Sequence, residues 1–184
     1  LVVALLPSFA ELLGRSSDDV SWLITATLLT SAVATPVVAR LADMYGKRLM
    51  MIVCIVLMAV GSLIAALSFG SFALLIVGRA LQGFSSALIP VGISIMRDQL
   101  PKEKVSSAIA LMSATLGIGG ALGLPLGGLL FARLGWSSVF WLSVLVGIAI
   151  LIAVIRVVPE SGVRTRGRFD LVGALLLSTA LTCL

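Results

Sequence analysis

Long apolar runs alternate with short polar clusters along nearly the whole chain. Leu1–Phe9, broken by Pro7, is the end of one run. Glu11 to Asp19 is polar, and Ser17-Asp18-Asp19 offers the side-chain oxygens that cap a helix N-terminus. Five complete runs follow: Val20–Ala39, Leu49–Phe69, Phe72–Met96, Val105–Phe131 and Trp136–Val158. A polar stretch from Pro159 to Asp170 precedes a last run that starts at Leu171. A helix needs about 20 apolar residues to cross the hydrocarbon core, and these runs have that length. Membrane strands alternate apolar and polar positions over about 10 residues, a pattern absent from these runs. The prediction is an all-α integral membrane chain. Residues 1–158 form an N-terminal transmembrane bundle of six spans, the first incomplete. Residues 159–170 are a linker, and 171–184 start an additional span. Because the chain starts without methionine inside one apolar run and stops inside another, it is expected to be a fragment.

Composition agrees with the pattern. The chain is 60% hydrophobic and 11% charged, against about 25% charged in ordinary soluble domains. Its formal net charge of +5 is parcelled into short loops rather than one exposed stripe, so nucleic acid is not an expected partner. Cys54 and Cys183 lie inside apolar runs without a CxxC spacing, as buried thiols would. Histidine is absent, no two carboxylates pair within a span, and no phosphate-binding GxxxxGK[ST] segment occurs. The expectation is a chain without enzymatic chemistry, metal or cofactor.

The basic residues also set orientation, because Lys and Arg collect in cytoplasmic loops. Arg40, Lys47, Arg48, Arg97, Lys102, Lys104, Arg156, Arg164, Arg166 and Arg168 fall in alternate loops on one side; Arg15 and Arg133 fall on the other. This places the Asp43, Pro101 and Arg164 loops in the cytoplasm. Trp22, Trp136 and Trp141 then sit near the outer ends of their spans, where tryptophan anchors a helix at the interface.

Three segments carry candidate chemistry. Arg40 to Arg48 is predicted to be a tight cytoplasmic hinge in which Asp43 pairs with Lys47 or Arg48, or with a helix N-terminus. Gly46 would supply the turn. Arg79 lies roughly 12 Å inside its span, counting Phe72 to Arg79 at 1.5 Å per residue. A charge at that depth normally faces a partner or a water-filled cavity. Arg79, Gln82, Gly83 and Ser86 share one helical face by spacing. Two readings of that face stand open: a knot in which Arg79 bonds neighbouring backbone carbonyls, or a cavity wall where Arg79 favours the ionised form of a carboxylate. Gly119, Gly123 and Gly127, four apart, form a small-residue stripe that lets helices approach closely, and Pro125 bends it.

These segments resemble the major facilitator superfamily. Its loop between spans two and three follows G-x-L-A-D-x-x-G-[RK]-[RK]; here Ala39-Arg40-Leu41-Ala42-Asp43-Met44-Tyr45-Gly46-Lys47-Arg48 departs only at the first glycine. Its span-four R-x-x-Q-G is matched by Arg79-Ala80-Leu81-Gln82-Gly83. Its antiporter segment G-x-x-x-G-P-x-x-G-G is approached by Gly119 to Gly128, with Pro125 displaced by one position. The lead-in Arg168-Phe169-Asp170-Leu171 points to the fourteen-span drug:proton antiporters. The resemblance implies a major facilitator fold and proton-coupled efflux of drug-like or amphipathic compounds by alternating access. Asp43, Gly46, Lys47 and Arg48 would latch the two bundles. Arg79, Gln82 and Gly83 would form the proton-coupling cavity face, and Gly119, Gly123, Pro125, Gly127 and Gly128 would seal against leak. The implied partners are a small-molecule substrate, protons, the lipid bilayer and a missing C-terminal bundle; the implied location is the plasma (inner) membrane. The alternatives are an exporter or importer of small metabolites, or a non-transporting membrane sensor.

Overall fold

A computed structural model describes residues 16–160 together with 173, 176, 179 and 180. The first half-span, the Arg164 loop and most of the last run lie outside the described residues.

Six α-helices account for the five complete runs: α1 (Ser17–Tyr45), α2 (Lys47–Ala66), α3 (Phe72–Gly83), α4 (Leu88–Gln99), α5 (Lys102–Leu134) and α6 (Ser137–Val157). A 3-10 turn, Phe84–Ala87, joins α3 to α4 as one crossing. Among the described residues, five helical segments are long and apolar enough to cross a membrane.

The helices outrun the apolar runs. The expected hinge from Arg40 to Arg48 is not a loop, because α1 continues to Tyr45 and α2 starts at Lys47. Arg, Leu, Ala and Lys are good helix formers, so the helix persists after hydropathy falls. Gly46 alone breaks it, at φ 121°, a conformation L side chains rarely adopt. Its N–H donates to the Ala42 carbonyl at 3.0 Å, closing the C-terminus of α1. The expected loop from Arg97 likewise shrinks to Leu100 and Pro101. At the start of α1 the cap is Ser16 rather than the Ser17-Asp18-Asp19 cluster: its side chain accepts from the Asp19 N–H at 3.1 Å. Asp18 and Asp19 occupy the first turn, where the helix dipole favours acids.

Such short connections make successive crossings antiparallel. Two buried apolar clusters result, one near each end of the bundle. Val20, Leu23, Ala65, Ala66, Leu75, Val139 and Phe140 fill the end nearest Gly70. Ala34, Val38, Ala42, Cys54, Ala87, Val91 and Ile95 fill the end nearest Gly46. Trp136 packs edge-on against Phe140, ring centroids 6.2 Å apart, whereas Trp22 and Trp141 are exposed, as interfacial anchors require.

Between the clusters the backbones nearly touch. A Cβ on Gly78 would come within 2.5 Å of the Gly61 carbonyl oxygen, and one on Gly61 equally close to that of Gly78. A Cβ on Gly83 would fall 2.7 Å from the Thr27 carbonyl oxygen on α1. Three glycines therefore let α3 lie against α2 and α1 at once. Helix α2 is also pinned to α6 at both ends. Arg48 donates Nη2 to the Ile155 carbonyl at 2.5 Å, and Ser137 donates Oγ to the Ala66 carbonyl at 2.9 Å. Both bonds satisfy carbonyls that a helix end leaves open.

Candidate functional site

At the height where the glycines bring α1, α2 and α3 together, a polar chain crosses the bundle. Arg79 on α3 donates Nε to the Leu23 carbonyl of α1 at 3.2 Å and Nη1 to Gln82 Oε1 at 2.6 Å. Gln82 in turn donates Nε2 to Ser62 Oγ on α2 at 2.8 Å, and Ser62 donates to the Met58 carbonyl at 2.8 Å. Thr27 completes the α1 side: its hydroxyl lies 3.1 Å from the Arg79 carbonyl and 3.0 Å from that of Leu23. Such hydroxyls suit an apolar span, since each meets two polar partners without a charge: two backbone carbonyls for Thr27, one carbonyl and the Gln82 amide for Ser62. Among the described residues, Arg79 forms no ion pair; its partners are neutral oxygens.

The helical face expected from spacing divides at this point. Arg79 turns toward α1 and Gln82 toward α2, while Gly83 is buried against Thr27 and Thr30. Ser86 falls in the 3-10 turn, so regular α-spacing ends at Gly83. The carbonyl bond to Leu23 is the feature of the knot reading, yet no described residue neutralises the guanidinium. Ser62 and Thr27 escaped the sequence reading, for an isolated hydroxyl within an apolar run has no periodic signal.

The second polar cluster sits at the Gly46 end. Lys47 is 5% exposed and lies between two carboxylates. Its Nζ is 2.5 Å from Asp98 Oδ2 on α4 and 4.0 Å from Asp43 Oδ1 on α1. The expected Asp43 pairing with Lys47 exists, but as the longer contact; Asp98, absent from the sequence reading, is the close partner. Arg48 does not meet Asp43 at all, since its guanidinium extends to Ile155 on α6. Sequence carried a signal for Asp98: an acid adjoining Arg97 at a span end, on the same side as the basic Lys47-Arg48 pair. A cavity of about 170 Å³ adjoins the cluster, lined by Ala39, Ala42, Asp43, Lys47, Pro90, Val91 and Ser94. Ala39, where the resemblance expected glycine, thus borders open space. A second hollow, about 320 Å³ and almost wholly apolar, lies on α1 between Leu29, Thr30, Val33, Ala34, Val37 and Phe84.

The glycine-proline segment is not packed as the stripe predicts. Pro125 lies within α5, which runs unbroken from Lys102 to Leu134. Of the segment's glycines, Gly127 is buried, but a Cβ on Gly119, Gly120 or Gly128 would meet nothing within 4 Å. Among the described residues α5 touches mainly α4 and α6, and its most apolar stretch has no buried residue. The close approach expected there is made instead by Gly61, Gly78 and Gly83.

Comparison with known proteins accords with this architecture. A family profile described as Major Facilitator Superfamily matches residues 1–182. A relative named "Putative multidrug resistance protein MdtD", from Escherichia coli O81 (strain ED1a), is 38% identical over 185 aligned positions, covering 100% of this chain and 39% of the relative. The protein of that name from Escherichia coli O1:K1 / APEC is 37% identical over the same shares. The chain thus spans about two fifths of the length of these relatives. In fold, it resembles the crystal structure of the human organic anion transporter MFSD10 (TETRAN), with a TM-score of 0.70 and 21% identity, over 96% of this chain and 43% of that one.

Proposed function

The chain belongs to the major facilitator superfamily, and we propose that it forms the N-terminal bundle of a secondary transporter that exports amphipathic, drug-like compounds against proton entry. The protein is a multi-pass membrane protein; its location in the plasma (inner) membrane belongs to the proposal.

One observation carries the reading. Arg79 stands inside a membrane crossing, held in place by neutral oxygens and not neutralised by any described residue. Burying a cation inside a membrane span is costly, so its retention points to a pathway for protons or cargo. A fixed guanidinium favours the ionised form of a nearby carboxylate. Moving such an acid toward or away from Arg79 as the bundles rock would make it release or take up a proton. The apolar hollow on α1 supports an amphipathic cargo, since such a wall binds by area rather than by specific hydrogen bonds. The named relatives, multidrug resistance proteins, support the same class.

The Gly46 end supplies the second moving part. With Lys47 held tightly by Asp98, the Asp43 side chain keeps 45% of its surface exposed and is available to a partner. In this reading Asp43, with Gly46, Lys47 and Arg48, latches the second bundle at the cytoplasmic face. The Gly119, Gly123, Pro125, Gly127 and Gly128 segment of α5 seals the interface between bundles, consistent with its open face here.

Vesicles containing the protein expressed from its complete reading frame test this directly. An imposed pH gradient is expected to drive ethidium transport that stops when an ionophore collapses the gradient. Transport indifferent to the gradient, or ligand binding without flux, would remove the proposal.

A further inference from the structure

We propose that Ser62 is a positioning residue for Arg79, acting through the Gln82 amide. The inference rests on the reading of Arg79 given above and adds a residue that no motif of the sequence contains.

Hydrogen-bond direction links the three side chains. The Ser62 hydroxyl has a single proton, and it is directed to the Met58 carbonyl at 2.8 Å. Its oxygen therefore has only lone pairs to offer Gln82. An amide oxygen cannot use them, so the amide presents its nitrogen, Nε2, at 2.8 Å. That choice turns Oε1 to the opposite side, where Arg79 Nη1 meets it at 2.6 Å. Were the amide reversed, Arg79 would face an NH2 group, donor against donor. Ser62 thus fixes which end of Gln82 the guanidinium sees, from a neighbouring helix and without touching it.

Burial makes this constraint strict. Ser62 is fully buried and Gln82 is 9% exposed, leaving little room for another acceptor. Among the described residues, no charged side chain reaches this level from α1 or α2. The charges of α1 are Asp18, Asp19, Arg40 and Asp43, near its ends; those of α2 are Lys47 and Arg48, at its start. Among the described residues, the guanidinium is oriented by the Leu23 carbonyl and by the amide that Ser62 sets.

The test compares Ser62→Ala, Ser62→Thr, Gln82→Glu and Arg79→Ala in the protein from its complete reading frame, reconstituted in vesicles with ethidium as the transported probe. Ser62→Ala is expected to lower the maximal gradient-driven rate about fivefold, the effect of one lost buried hydrogen bond, with the KM for ethidium within about twofold. Ser62→Thr, which keeps the hydroxyl, should restore the rate. Gln82→Glu accepts from both Arg79 and a rotated Ser62 hydroxyl but cancels the cation. It should lose transport while keeping its melting temperature, whereas a merely structural knot would tolerate it. A wild-type rate in Ser62→Ala beside an inactive Arg79→Ala overturns the role of Ser62 and leaves that of Arg79 standing. A fully active Arg79→Ala removes both. Should ethidium not be moved even by the unaltered protein, the transport reading fails, and nitrogen NMR of the Arg79 guanidinium decides on Ser62. Resolved, slowly exchanging Nη protons lost in Ser62→Ala and kept in Ser62→Thr support the assignment; identical spectra in all three overturn it.

Discussion

Lys47 Nζ lies 2.5 Å from one oxygen of Asp98, across the gap between α2 and α4. The pair is 51 residues apart in sequence and joins the start of the second complete crossing to the end of the third. It divides the labour of two acids. Asp98, its side chain 17% exposed, holds the lysine, and the more exposed Asp43 is left for other contacts.

Asp98→Asn should therefore act on stability. It leaves a nearly buried lysine with only a distant carboxylate, and losing a charged hydrogen bond of this kind costs about 2 kcal/mol. A lowered midpoint of thermal inactivation in detergent is the expected result. An unchanged midpoint would mean that Asp98 does not hold Lys47.

Asp43→Asn should act the other way. Asp43 is exposed and 4.0 Å from a lysine already held by Asp98, so its contact contributes at most about 1 kcal/mol, and folding and membrane level should stay close to wild type. Transport is expected to be lost, as measured by dye efflux normalised to protein in the membrane. Undiminished efflux would end the latch assignment.

Substituting alanine for glycine separates packed from open positions. Gly78→Ala places a methyl against the Gly61 carbonyl and must push α3 from α2, at a cost of about 1–3 kcal/mol. Gly119→Ala meets no neighbour in this bundle and should leave its thermal stability unchanged. Thermal scans of the two variants side by side give the comparison, and equal losses would contradict the observed crossing.

Gly46→Ala tests the one-residue break between α1 and α2. At φ 121° a side chain strains the backbone, and the substitution should destabilise by about 1–3 kcal/mol. It should also displace Lys47 from Asp98, so a double mutant with Asp98→Asn should lose less than the sum of the two single effects. Strict additivity would show that the break and the ion pair are independent.

Membrane crossings were legible in the sequence because hydropathy measures transfer into lipid, and each of the five complete runs became one helical crossing. Their ends were not legible for the same reason: hydropathy falls at Arg40, but helix geometry persists to Gly46. Depth marked Arg79 as unusual, since charge inside a span is rare whatever surrounds it. Its partners depend on which helices cross at that height, and Gly61 and Gly78, which decide this, resemble any other glycines in an apolar run. Counting Lys and Arg for topology gave weight to Arg97 and none to the adjacent Asp98. The Gly119–Gly128 stripe stood out most clearly by spacing, yet Gly127 alone of its glycines is buried, and a Cβ on Gly119, Gly120 or Gly128 meets nothing among the described residues.

The most direct test of the central claim is proton movement driven by cargo. Vesicles enclosing a pH-sensitive dye and the protein from its complete reading frame would receive ethidium on one side with no gradient imposed. The account predicts an ethidium-dependent pH change in the vesicle interior, abolished by Arg79→Ala, with that variant still folded and inserted. A pH change of full size in Arg79→Ala, or ethidium flux without any proton movement, would contradict it.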